Sequence, residues 1–187
     1  HTDWMRPDRV DDDILAFVEP IRHETAVKTA VTAMNAAQRR ALIGAALGRL
    51  TTLLLDDFDD PDRALLESLY VELGVVTGDR DENLFAECIC ALLSPAWTQR
   101  AHQRGMWLLS LIDEQVRTDE LTPVVRAKVA AEYARRFRLF VSLASVRRLE
   151  LTERALELAR EVADEAPEIL VLALLERSRA RSAKDLP

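Results

Sequence analysis

The feature that most constrains this chain is a regular recurrence of helix-like segments. Each of these segments follows another helix-like segment and a short polar break. Their anchors are Leu42, Leu84, Val125 and Ile169, which are 42, 41 and 44 residues apart. A single helical hairpin cannot hide its apolar face alone, so recurring hairpins bury it against the next hairpin in the chain. The period therefore predicts an all-α stack of consecutive antiparallel helical hairpins, with a closed helical bundle as the alternative.

The composition also favours helices over strands. Ala, Leu, Arg and Glu dominate the chain, and all four are good helix formers. Only five glycines are present, which disfavours a protein rich in tight β-hairpins. With 187 residues, 49% of them hydrophobic, the chain is long enough to bury a core. We therefore predict a single all-helical domain over residues 1–187, with residues 1–9 frayed because they lack apolar periodicity.

Several helix starts are marked by a polar residue followed by proline. The polar side chain accepts hydrogen bonds from the free amides of the first turn, and proline at the first helical position loses no bond. These pairs are Asp60-Pro61, Ser94-Pro95 and Thr122-Pro123, and Pro167 starts a further helix. The predicted helices cover residues 11–18, 21–34, 37–55, 61–75, 81–93, 95–117, 123–146, 149–164 and 167–181.

The net charge of −7 is unevenly distributed along the chain. Between Leu121 and Arg148 there are seven basic residues and one acid, Glu132, so this stretch carries +6 and the remainder −13. An acidic body repels phosphate, which disfavours nucleic-acid binding over the whole surface. The stretch predicts a basic belt, residues 121–148, on an acidic protein.

The basic belt supplies the predicted binding residues. In the helix predicted over 123–146, three cations fall on the side opposite to an apolar face that includes Val125 and Val129. Trp107 lies beside the apolar side of the preceding helix, which is predicted over residues 95–117. It is a candidate anchor, since tryptophan is favoured at binding hot spots. An acidic protein partner would be steered to such a surface. The predicted partner-binding residues are Lys128, Arg135, Arg138 and Trp107.

An acid recurs five residues before a pair that begins with an apolar residue and is followed by small residues. Glu120 precedes Val125-Arg126 with Ala130-Ala131 beyond, Asp164 precedes Ile169-Leu170 with Ala173 beyond, and Asp79 precedes Leu84-Phe85 with Cys88 beyond. This arrangement resembles the second helices of HEAT and armadillo repeats. The resemblance implies an α-α superhelix that presents helical faces to other proteins.

The strongest indication of chemistry is the acidic run from Asp56 to Asp60. It resembles the DDxxD motif of isoprenoid diphosphate synthases and terpene cyclases, whose carboxylates hold Mg²⁺ on a diphosphate. Pro61 makes Asp60 a helix cap, so the run is interpreted as an acid-rich turn. Asp56, Asp57 and Asp60 stay as metal-ligand candidates only. No catalytic residue, metal centre or cofactor is predicted.

The remaining features bear on location. Cys88 and Cys90 point in different directions on a helix, so we expect buried, reduced thiols rather than a disulfide. No segment approaches the roughly 20 apolar residues that span a bilayer, and no leader sequence opens the chain. These features predict a cytoplasmic protein that makes no membrane contact.

The predicted function is that of a non-enzymatic protein–protein interaction scaffold or adaptor, which uses a helical face with the basic belt. Two alternatives stay open. The chain could be an all-α ligand-sensing or diphosphate-binding bundle that uses the acid-rich turn, or a nucleic-acid-binding helical repeat that uses the basic belt. The sequence leaves the oligomeric state and the identity of the partner open.

Overall fold

Helices account for nearly all of the chain that the structure describes. The computed structural model describes residues 24–56, 61–93, 102–140 and 146–184, which form eight α-helices, a short 3-10 turn and no β-strand. The all-α prediction is therefore confirmed. The chain divides into two compact units, His1–Asp81 and Glu82–Pro187, and the single domain over residues 1–187 stays a prediction.

Three helices belong to the first unit and five to the second. The first unit contains α1 (Glu24–Ala33), α2 (Ala36–Asp56) and α3 (Pro61–Thr77). The second contains α4 (Glu82–Leu92), α5 (His102–Glu114), α6 (Pro123–Phe140), α7 (Val146–Glu161) and α8 (Pro167–Lys184), with the 3-10 turn Thr118–Glu120 before α6.

The predicted helix starts at Pro61, Pro123 and Pro167 are confirmed. The predicted start at Pro95, the frayed residues 1–9 and the helix over 11–18 lie outside the described residues. The C-terminal end of α5 differs from the prediction of residue 117. The amides of Gln115 and Val116 both donate to the carbonyl of Leu111, at 2.8 and 3.0 Å, which closes the helix early.

The corner between α1 and α2 is held by reciprocal capping. Asn35 Oδ1 accepts from the amide of Gln38 at 2.9 Å, and Gln38 Oε1 accepts from the amide of Asn35 at 3.0 Å. This is a capping box, which satisfies amides at the start of α2. Arg39 then donates to the carbonyls of Val31 and Thr32, which are among the last of α1. One short segment therefore ends one helix and begins the next.

In the first unit, α3 packs against both α1 and α2. On α2, Leu42, Ala46 and Leu50 are spaced by four residues on one side of the helix, and all three are buried. The other two helices contribute Val27, Val31, Leu66, Leu69, Tyr70 and Leu73 to this core.

The C-terminal end of α3 needs a glycine. Gly78 has φ = 65°, a left-handed conformation that costs glycine nothing and other residues about 1 kcal/mol or more. Its amide donates to the carbonyl of Gly74 at 3.0 Å, and Arg80 donates to the same carbonyl at 2.7 Å. The buried Tyr70 hydroxyl accepts from the amide of Asp81, which fixes the exit of the chain.

In the second unit, α6 packs against all four other helices, α4, α5, α7 and α8. The side of α6 that meets α7 and α8 is built from small residues, which lets the three helices approach closely. The buried residues of this contact are Ala127, Ala131, Ala134, Ala155, Leu156, Leu158, Ala159, Val162, Ala166, Ile169 and Ala173.

Two glycine substitutions are expected to have opposite effects on stability. Gly78→Ala should lower the free energy of unfolding by about 1 kcal/mol, because alanine is strained at positive φ. Gly48→Ala, inside α2, should raise it by about 0.5–1 kcal/mol, because alanine is the better helix former. A Cβ at either position meets no atom within 4 Å, so only backbone preference differs. Urea denaturation of both variants measures this, and effects of the same sign would contradict the assigned conformations.

Candidate functional site

The apolar face predicted for α6 is correct, but the opposite side of the helix is not open to solvent. Val125 and Val129 are buried as predicted, and Tyr133 is buried as well. Ala127 and Ala131, on the other side, are also buried, because α7 and α8 cover them. The predicted charged face is therefore reduced to the flanks between two buried sides.

Several arginines of the basic belt serve the fold and not the surface. Arg126 donates from Nε to the carbonyl of Thr118 at 3.0 Å and from its terminal nitrogen to that of Leu121 at 3.2 Å. It thereby holds the 3-10 turn against the first turn of α6. Arg148, in α7, is buried. The sequence count of charges therefore overstates the positive charge that this stretch presents outward.

Arg136 is a cation of the basic belt that is buried inside the second unit. Its side chain is 4% exposed, and its Nε lies 3.5 Å from Glu132 Oε2. Burial lowers the pKa of the Arg136 guanidinium, while the charges of Glu132 and Glu176 favour its protonated form. Glu176 is itself 1% exposed and accepts from Arg179 at 2.7 Å. Burying charges is costly unless they are paired, so these carboxylates are structural partners of the belt.

Lys128 and Arg135 are the predicted contacts that keep solvent exposure. The side chain of Lys128 is 44% exposed, and its Nζ lies 3.8 Å from Oε1 of Glu87 in α4. The side chain of Arg135 is 30% exposed, and one of its terminal nitrogens lies 3.9 Å from Glu132 Oε1. The two cations are seven residues apart, which is about two turns, so they share one side of α6. We call this pair the basic flank.

The other two predicted contacts, Arg138 and Trp107, are not part of the basic flank. Arg138 lies in α6, and its side chain is outside the described residues. Trp107 lies in α5 and is half-buried, with its carbonyl accepting from Ser110 Oγ at 2.6 Å. The neighbouring Met106 is exposed. The structure therefore brings Lys128 and Arg135 together on one helix, while Trp107 belongs to a different helix.

Tyr133 joins α5 to α6 near these residues. Its hydroxyl donates to Asp113 Oδ2 at 2.7 Å, and its ring stacks on Phe137 with 6.1 Å between the ring centroids. Burial and this hydrogen bond to a carboxylate both raise the pKa of Tyr133. This hydrogen bond connects α6 to α5.

The two cysteines are free and buried, as predicted. Burial raises the pKa of the Cys90 thiol from 9.0 to about 12, and the charge of Glu132 adds to this effect. The thiolate is the reactive form of cysteine, so Cys90 is protected from chemistry at neutral pH.

Asp56 is the one metal-ligand candidate of the acid-rich turn that lies within the described residues. Asp56 ends α2, its side chain is not described, and Asp57 and Asp60 lie outside the described residues. Elsewhere in the described ranges, no group of three or more His, Cys, Asp or Glu side chains could hold a metal ion. None of the described helices combines the length and the apolar character needed to cross a bilayer.

An exposed apolar surface on α8 was missed at the sequence level. Val171, Leu174 and Leu175 are all largely exposed, although α8 is buried on its other side. The signal that could have identified it is the run of seven consecutive apolar residues from Ile169 to Leu175. A helix on a protein surface buries only one side, so such a run must leave part of itself uncovered.

Alkaline pH is expected to destabilise the second unit, because Cys90 and Tyr133 both have raised pKa values in the folded state. The unfolded chain releases these protons first, so the free energy of unfolding should fall as pH rises above about 9. Each group contributes a slope of about 1.4 kcal/mol per pH unit between its unfolded and folded pKa values.

Urea denaturation at pH 7, 9, 10 and 11 measures this slope. The double variant Cys90→Ala/Tyr133→Phe should show a flatter dependence on pH, whatever its stability at pH 7. An equal slope in both proteins would show that the loss of stability at alkaline pH does not come from Cys90 and Tyr133.

Comparison with known proteins adds no family assignment to this geometry. No protein-family model, curated protein or solved structure matches the chain. The resemblance to HEAT and armadillo repeats therefore stays a prediction, as do the scaffold function and the four partner-binding residues. The function has to be argued from the helices and their exposed side chains alone.

Proposed function

We propose that this chain is a non-enzymatic adaptor that binds an acidic segment of a partner protein on the basic flank of α6. The observation that carries the proposal is the pair of partly exposed cations, Lys128 and Arg135, about two turns apart on one helix. Carboxylates spaced along a partner helix or strand could meet both cations together. Charge complementarity of this kind speeds the encounter and fixes the register of binding.

Lys128 and Arg135 already make ion pairs within the chain, and the length of these pairs supports further contacts with a partner. Lys128 and Glu87 are 3.8 Å apart, and Arg135 and Glu132 are 3.9 Å apart. Exposed pairs such as that between Lys128 and Glu87 contribute only about 0–1 kcal/mol, so an incoming carboxylate displaces Glu87 at little cost. The side chain of Arg135 is 30% exposed and can bind a second carboxylate while Glu132, which is 16% exposed, stays in place. Buried Arg136 differs, because breaking its contact would leave a charge in the core.

The remaining predicted features belong to the same proposal. Arg138 and Trp107 are the further contacts, with the half-buried Trp107 as an apolar anchor. A stack of hairpins is supported by the packing of α6 against both α4 and α8, its next-but-one neighbours. A reducing, cytoplasmic setting is supported by the two free buried thiols.

Reversing the charges of the basic flank is expected to weaken binding of an acidic ligand. The probe is a fluorescein-labelled peptide of alternating glutamate and leucine, and the measurement is fluorescence anisotropy. Lys128→Glu/Arg135→Glu should weaken binding at least about tenfold, since two attractions become repulsions. Raising the salt concentration from about 50 to 300 mM should also weaken the wild-type interaction, because the Debye length shortens.

Arg154→Glu is the matched control, because Arg154 is an exposed arginine of α7 in an ion pair with Glu157. It should leave the Kd for the peptide unchanged. Equal losses in the control and the double variant would contradict a specific site on α6. A single-stranded RNA is the second probe, and RNA binding that the double variant alone loses would favour the nucleic-acid alternative.

A further inference from the structure

The outer side of α8 carries an apolar stripe that no described helix covers. Val171, Leu174 and Leu175 are 56%, 44% and 50% exposed, and their spacing places them on one side of the helix. The opposite side, which includes Ala173 and Ala180, is buried. Neighbouring large apolar side chains at such exposure are typical of a surface that another molecule covers.

The charges beside the stripe are separated by sign along the helix. Acidic side chains stand exposed at its N-terminal end, at Glu165 and Glu168. Arginines stand exposed at its C-terminal end, at Arg179 and Arg181. The pair between Arg181 and Glu153 is exposed and 3.6 Å long, so its loss costs little. The surface therefore runs from acidic through apolar to basic.

We propose that α8 is a self-association surface, and that its occupant is α8 of a second copy of this chain in antiparallel orientation. A two-fold interface places the same surface on both copies, so it must be complementary to itself. An axis at Leu174 puts Glu168 of one copy level with residue 180 of the other. Glu168 and Arg179 are eleven residues apart, about three turns, so they share one flank of α8 and meet across the pair, while Arg179 keeps its contact with buried Glu176. Both acidic ends then meet basic ends, and the leucines cover one another.

The distribution of charge selects this occupant and this orientation. A parallel pair would place acid beside acid and arginine beside arginine, which is unfavourable. A uniformly acidic or basic partner would be repelled at one end of the surface. Only three large apolar side chains per copy are exposed on the stripe, so the contact is small and the expected Kd is about 10–100 µM. This surface does not include the residues of the basic flank, so a test of one proposal does not decide the other.

Sedimentation equilibrium of the full chain tests the association. The wild type should show a monomer–dimer equilibrium, and Leu175→Glu should weaken it at least about tenfold, because it places a charge in the covered stripe. Val146→Glu is the matched control, since Val146 is an exposed apolar residue of α7 outside the stripe. It should leave the Kd of the dimer unchanged. Circular dichroism melting curves establish that each variant is folded.

Disulfide trapping tests the antiparallel register. Leu174→Cys lies at the proposed axis and should form an intermolecular disulfide under mild oxidation. Ser182→Cys lies eight residues from the axis, so its two copies would be about 24 Å apart and should not react. A parallel pair would trap both variants.

Three results would overturn the proposal. The first is a wild-type chain that remains monomeric up to about 300 µM, well above the expected Kd range. The second is a dimer that Leu175→Glu leaves unchanged, which would place the association on another surface. The third is trapping at Ser182→Cys as efficient as at Leu174→Cys. Peptide binding by the basic flank is measured separately and is unaffected by any of these results.

Discussion

The second unit depends on the burial of α6 on two sides. Ala127, Ala131 and Ala134 lie against α7 and α8, while Val125 and Val129 are buried on the other side of the helix. Alanine has no side-chain entropy to lose and leaves room for close backbone approach, so helices meet at short range there. A larger residue on that side would separate α6 from its neighbours. Each of the other described helices of this unit packs against α6.

The same burial redistributes the charges of the basic belt. A helix with two covered sides has only flanks to offer to solvent, so cations at other positions must find partners inside the unit. Arg136 and Arg148 are buried, and Arg126 binds the carbonyls of the preceding turn. Lys128 and Arg135 stay partly exposed because their positions face the flank. The pattern of exposed charge is thus a consequence of helix packing and not of sequence composition.

Two surfaces of the second unit are suited to association by different physics. On α6, the partly exposed cations Lys128 and Arg135 make only long ion pairs, which favours fast and salt-dependent contact with an acidic ligand. On α8, Leu174 and Leu175 provide apolar area, which favours slower dissociation once covered. The interior supports neither redox nor acid–base chemistry at Cys90 and Tyr133, because burial keeps both protonated.

The sequence by itself determined the helical class and most helix starts. Proline fixes φ and lacks an amide proton, so Pro61, Pro123 and Pro167 mark first turns whatever surrounds them. Which sides of a helix are covered was decided only by the tertiary structure, since small residues such as Ala131 fit both buried and exposed positions. Exposure of the basic flank and of the stripe on α8 depends on partners that are distant in sequence, such as Glu87 for Lys128. Local periodicity carries no information about those neighbours, and for that reason the solvent exposure of these side chains could not be predicted from sequence alone.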